Sequence, residues 1–131
     1  MSARAFKRAV YRLCESAPLG DDARLCGQLR QAAASAASQV AEGFGRFNPL
    51  DFARFLGIGK ASLMEAQNHL HDAVDLGYIS EGVRQDHHEL AQVALRDIIA
   101  LLRYLQSPEA KHNAIEARHA RKPRRTPNPD H

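Results

Sequence analysis

Seven histidines are the first residues in this 131-residue sequence whose type suggests chemistry. A metal centre needs imidazoles and carboxylates that converge, and side chains on a helix converge only at spacings of three or four. His69 and His71 stand two apart and His87 and His88 are adjacent, so neither pair shares a helix face. Glu109-x-x-His112 and Glu116-x-x-His119 have the Glu-x-x-His spacing of di-metal helical bundles, but both sit in a polar C-terminal stretch with no core to project into. These histidines are expected to be solvated, and His69 to be a satisfied structural group near the seam of its helix. No metal site and no cofactor are expected.

Other chemistries fare no better. Gly43-Phe44-Gly45 and Gly57-Ile58-Gly59 lack the third glycine and the preceding strand of a phosphate-cradling loop. No serine or cysteine stands in a nucleophile-elbow context. Cys14 and Cys26 are too few for a disulfide framework or a zinc site, and are expected to be small core residues in a reducing compartment. Glu42 precedes Arg46 by four residues and is expected to pair with it. With no catalytic residues visible, the chain is not expected to be an enzyme, and no small-molecule substrate is evident.

The basic residues are more informative. Residues 1–17 carry Arg4, Lys7, Arg8 and Arg12 against Glu15, a net +3, and residues 107–131 again total +3, leaving −3 for the middle of the chain. Arg4, Lys7, Arg8 and Arg12 fall opposite the apolar stripe of the first helix, and with Arg121, Lys122, Arg124 and Arg125 they are the candidate nucleic-acid contacts. The competing reading is a merely solvated face. Aromatic interleaving, which would favour stacking on single strands, is absent from these segments apart from Phe6 and Tyr11. Arg30, Arg54 and Lys60 are the alternative basic face.

These residues must be positioned by helices. At 44% hydrophobic and 25% charged the composition is that of an ordinary globular domain. The longest strongly apolar run, Ile98–Leu102, is far short of the ~20 residues of a membrane span, and no signal peptide is expected. Pro18-Leu19-Gly20, Phe47-Asn48-Pro49, Gly77-Tyr78-Ile79-Ser80 and Ser107-Pro108 punctuate four helical segments, about 3–17, 21–46, 49–77 and 81–106. No stretch alternates with period two, so the fold class is all-α. The first helix should bury Phe6, Ala9, Val10, Leu13 and Ala17, and the second, opening on Asp21 and Asp22, should bury Leu25, Leu29, Ala32, Ala36, Val40 and Phe44. Asn48 and Pro49 read as cap and first residue of the third helix. Its apolar line runs Phe52, Leu56, Gly59, Leu63, Ala66, Leu70, Ala73, Gly77, with Gly57 and Gly59 explained by close helix approach. Ser80 caps the fourth, which should bury Leu90, Ala94, Ile98, Leu101 and Leu105, with Ala91, Leu95, Ile99 and Leu102 widening the stripe. The expectation is an antiparallel up-down four-helix bundle over residues 1–106 and a disordered, basic, proline-containing tail over 107–131.

Gln28-Leu29-Arg30 followed by Ala41-Glu42-Gly43-Phe44-Gly45-Arg46 resembles the second-helix signature of the four helix bundle protein family, named for reading frames in 23S ribosomal RNA intervening sequences. Arg54-Phe55-Leu56, Ser62-Leu63, Glu65, Leu70 and Asp75-Leu76-Gly77-Tyr78-Ile79-Ser80 resemble its third helix and turn, and Tyr11 with Ala17-Pro18 the end of its first. The resemblance spans roughly residues 6–106. Departures are the missing Trp of the opening segment, Gln39 in place of Asn and Ala61 in place of Gly. Such a resemblance implies a cytosolic four-helix bundle without catalytic activity, assembled as a homo-oligomer, commonly a pentamer, and brings no settled molecular function with it. A related fold is the accessory protein of diversity-generating retroelements, which contacts RNA and a reverse transcriptase; here Ala100-Leu101-Leu102-Arg103-Tyr104 stands where a Gly-Gly-Trp segment is expected. Glu42, Gly43, Phe44, Gly45 and Arg46 are expected to be a structural motif that lets the end of the second helix pack closely. Three function classes follow: an RNA-binding oligomer, a protein-interaction scaffold and, a distant third, a metal or hydrolytic enzyme.

Overall fold

A computed structural model of the chain describes residues 1–45 and 48–109, together with 112, 115 and 116. Among these there are four α-helices and no strand: α1 (Ser2–Leu13), α2 (Ala23–Phe44), α3 (Pro49–Asp75) and α4 (Glu81–Leu105), with a 3-10 turn at Leu19–Asp21. The helices pack in a cycle, α1 on α2, α2 on α3, α3 on α4 and α4 on α1. Among the described residues no helix is long and apolar enough to cross a membrane.

Local chemistry sets the helix starts. The Asp22 carboxylate accepts the Leu25 N–H, Asn48 accepts from Leu50 with Pro49 opening α3, and Ser80 accepts from Val83. Each satisfies one of the orphan donors of a first turn. α1 stops at Leu13, earlier than its apolar pattern suggests, and Ala17 is exposed rather than buried. Pro18 disfavours helical backbone at the residue before it, so the chain turns and Leu19 fills the core instead. Gly77 likewise leaves the apolar line it continues in sequence. It takes φ +76° and ends α3, with the Tyr78 N–H donating to Ala73 O and the Gly77 N–H to Val74 O. A left-handed residue at this position suits glycine, which has no Cβ to clash.

The core runs through Phe6, Val10, Leu29, Leu56, Leu63, Leu70 and Ile98, all 2% exposed or less. Burying a leucine side chain stabilises by roughly 1.5–3 kcal/mol. The closest seam is between α2 and α3, where the small residues of α2 face α3. A Cβ on Gly59 would lie 3.5 Å from Ala36 O, and the Ser35 and Ser62 hydroxyls are 2.9 Å apart. Gly57 is different: nothing lies within 4 Å of its missing side chain, so close approach does not account for it. On α4 the buried line is Ala91, Ala94, Leu95, Ile98 and Leu105, and Leu90 is exposed. Ala94, Ile98 and Leu105 are buried as expected, Ala91 and Leu95 from the widened stripe are buried with them, and Leu101 is half-buried.

Candidate nucleic-acid interface

α1 is amphipathic because Phe6 and Val10 point inward while Arg4, Arg8 and Arg12 recur every four residues on the outside. At 1.5 Å per residue the three guanidinium stems span about 12 Å of helix. All three are exposed, and none forms an ion pair among the described residues. Lys7 lies on the flank, partly covered, with its ammonium 5.6 Å from the centroid of the Tyr11 ring. A cation over a ring face is held by the quadrupole, which orders this side chain without neutralising it. The structure thus brings Arg4, Lys7, Arg8 and Arg12 onto one helix surface. Arg121, Lys122, Arg124 and Arg125 lie outside the described residues. Of the alternative basic residues, Arg30 reaches toward its own helix, Nε to Cys26 O at 3.4 Å, while Arg54 stacks over the Phe55 ring at 5.1 Å.

The Gly43 position shows why the end of α2 is built from small residues. A Cβ there would fall 2.6 Å from Cδ2 of Phe52. The glycine therefore makes room for the Phe52 ring. Phe44 does not continue the buried line of α2; it is 54% exposed and packs its ring 5.2 Å from that of Phe52 at a tilt of 54°. It sits on the last turn of the helix, where the core has already closed. Glu42 and Gly45 are exposed, and Arg46 lies outside the described residues.

The opposite end is polar and tightly bonded. Tyr78 donates its hydroxyl to Asp22 Oδ2 at 3.0 Å, joining the turn after α3 to the start of α2. The Leu25 N–H first, and then this hydroxyl, hold the Asp22 carboxyl below the usual range, and the same bond pushes Tyr78 up. Arg84 is buried, and its Nε lies 3.0 and 2.9 Å from the two oxygens of Glu81. This bond is the main reason the Glu81 carboxyl is lowered and the guanidinium raised. Neither contact was expected from sequence; the Glu81-x-x-Arg84 spacing was the available signal, but nothing in it announces burial.

The histidines do not gather. Among the described residues no three His, Cys, Asp or Glu side chains are placed to hold a metal ion. His69 is not the satisfied group expected: its ring nitrogens have no hydrogen-bond partner, and stand 3.5 Å from Glu65 and 3.7 Å from Asp72. Its flanking carboxylates stay in water on either side of the ring. His87 Nδ1 is 2.8 Å from Val83 O, and His88 Nδ1 3.2 Å from Gln67 Nε2. His112 pairs with Glu116 at 3.0 Å on an exposed surface. His119 lies outside the described residues. Cys14 and Cys26 are buried free thiols. Cys26 donates to Leu19 O at 3.1 Å, and burial first, then the bond to Cys26, pushes the Cys14 thiol up to about 12.

These features define a four-helix bundle protein with an exposed row of arginines on its first helix. The chain belongs to the family of the 23S rRNA-intervening sequence proteins, whose family model matches residues 1–100. That match begins at the first residue, so α1 with its basic face lies inside the family's extent. No curated protein matches the chain significantly.

Proposed function

We propose that this chain is a non-catalytic, cytoplasmic homo-oligomer, a pentamer by family resemblance, that binds structured RNA through the basic outer surface of α1. The observation that carries this reading is the row of Arg4, Arg8 and Arg12, exposed and free of ion pairs among the described residues. Guanidinium groups with no internal partner can release counterions from a phosphate backbone, which favours binding without sequence preference. Assembly would repeat that row around an axis, and the basic sequence from residue 107 onward would add to it. Within each subunit we take the bundle, residues 1–106, to be antiparallel and up-down, in keeping with its short connections and the cyclic packing of its helices.

A titration of structured RNA at two salt concentrations tests the reading. Wild type should lose affinity steeply as salt rises. Arg8→Glu with Arg12→Glu should weaken binding evenly across sequences and reduce the slope of log affinity against log salt by about 2. No complex at low salt would overturn it. The second reading, a protein-interaction scaffold, rests on Leu90, Val93 and Tyr104, which α4 leaves exposed. The same side chains are available for self-assembly, and light scattering that gave the 14.5 kDa monomer at micromolar concentration would remove the oligomer.

A further inference from the structure

The outer face of α3 does not read as a solvated one. Opposite the buried line, Arg54, Gly57, Ala61, Met64 and Asn68 step by 3, 4, 3 and 4, so at 100° per residue they share one stripe, and all are exposed. That stripe holds a single charge, whereas the outer face of α1 carries an arginine at every turn. Met64 is 56% exposed, and Ile58, on the flank, 42%. Gly57 stands in the middle with nothing within 4 Å of where a Cβ would be, so no neighbour within the chain explains a residue that weakens a helix interior. With Ala61 one turn on, it makes an exposed notch. Charge is uneven about this notch. Before Ala61 the helix carries Asp51, Arg54 and Lys60, a net +1; after it Glu65, Asp72 and Asp75 give −3 with the histidines neutral.

A notch between apolar side chains suits another helix, and the charges say which. We propose that α3 pairs antiparallel with α3 of a second copy of this chain, the two helices crossing at Gly57 and Ala61. In a twofold contact residue i meets j and j meets i. Setting Gly57 of one copy against Ala61 of the other brings Arg54 level with Glu65 on the same flank, twice, and the two Ile58 side chains meet beside the crossing. Small residues there let the helix axes approach to about 8 Å. A parallel pairing would instead set Glu65, Asp72 and Asp75 each against its own copy, and like charges repel. The inference rests on the self-assembly reading above and adds the face and its symmetry: a twofold contact joins copies in pairs, so a ring built with it would come as two joined rings. α1 packs on α2 and α4, across the bundle from α3, which leaves its arginine row open to RNA in the pair.

The test is sedimentation equilibrium of the full chain. Wild type should have a mass that is an even multiple of the 14.5 kDa chain. Gly57→Leu fills space that is empty within the subunit, so it should keep the helical circular dichroism and halve that mass. Arg54→Glu and Glu65→Arg each set like charges together and should each weaken pairing about tenfold, while the double variant should restore it. These charge variants leave Gly57 in place and decide the matter even if Gly57→Leu loses helicity. An odd-numbered wild-type assembly, variants that keep the wild-type mass, or a double variant that fails to restore pairing would overturn the α3 contact and leave the self-assembly reading intact. A wild-type monomer would remove both. RNA affinity lost in Gly57→Leu at unchanged mass would assign this face to RNA and overturn the proposal.

Discussion

At one end of the bundle the Asp22 carboxylate takes the Leu25 N–H and the Tyr78 hydroxyl, Ser80 caps α4, Gly77 closes α3 and Arg84 lies buried against Glu81. At the other, Phe44, Leu50 and Tyr104 face water, and Asn48 is the cap. The first end spends its polar groups on itself, through a bond between residues 56 positions apart. The second is also tied by a bond, Ser2 Oγ donating to Asp97 Oδ2 at 2.6 Å, but leaves more apolar side chain in water. Polar bonding and exposed apolar side chains are thus unevenly divided between the two ends of α2 and α3.

Apolar substitutions test that division most severely. Leu70, 1% exposed near the bonded end, should lose about 2–5 kcal/mol on Leu70→Ala by chemical denaturation. Leu50→Ser at the open end should change stability by no more than about 0.5 kcal/mol. Similar losses at the two sites would break the comparison. Gly43→Val is intermediate: the new side chain must displace the Phe52 ring, at roughly 1–3 kcal/mol. If that variant kept full stability but lost RNA binding, Gly43 would belong to the contact surface and not to the packing.

The smallest effect is on pH dependence, and it belongs to the bonded end. Asp22 and Glu81 both have carboxyls held below the usual range in the folded chain. Their contribution is complete above the ordinary carboxylate value of about 4 and is lost as pH falls through the lower folded values. Melting temperature should therefore decline below about pH 4, and Asp22→Asn should flatten part of that decline. Tyr78→Phe should do so more weakly, because the Leu25 N–H remains. A profile unchanged in both variants would mean that the bonds at this end contribute nothing to stability.

Much of the fold is readable in the sequence where the determinants are local. Asn48-Pro49 and Ser80 cap as their types suggest, because capping needs only the next three residues. Gly77 stands both at the end of the apolar line and in the Gly77-Tyr78-Ile79-Ser80 turn signal, and the turn prevails, because the left-handed residue that closes a helix outweighs periodicity there. Phe44 fits the apolar stripe of α2, yet burial there depends on where Phe52 of α3 sits. On α4, two neighbouring apolar lines compete, and packing buries residues from both, Ala91 and Leu95 from one and Ala94, Ile98 and Leu105 from the other. The α1 row was legible from four-residue spacing. The contact of Phe44 with Phe52 was not, because the two rings lie on different helices and meet only on folding.

The two thiols have a practical consequence. Cys14 and Cys26 flank the turn between α1 and α2, buried and not joined by a disulfide, and Cys14 is pushed up to about 12. Since the thiolate is the reacting form, an alkylating reagent should find almost none of it while the chain is folded. Labelling would then wait for that corner to open, and its rate under native conditions would act as a clock for the local opening of α1 from the rest of the molecule.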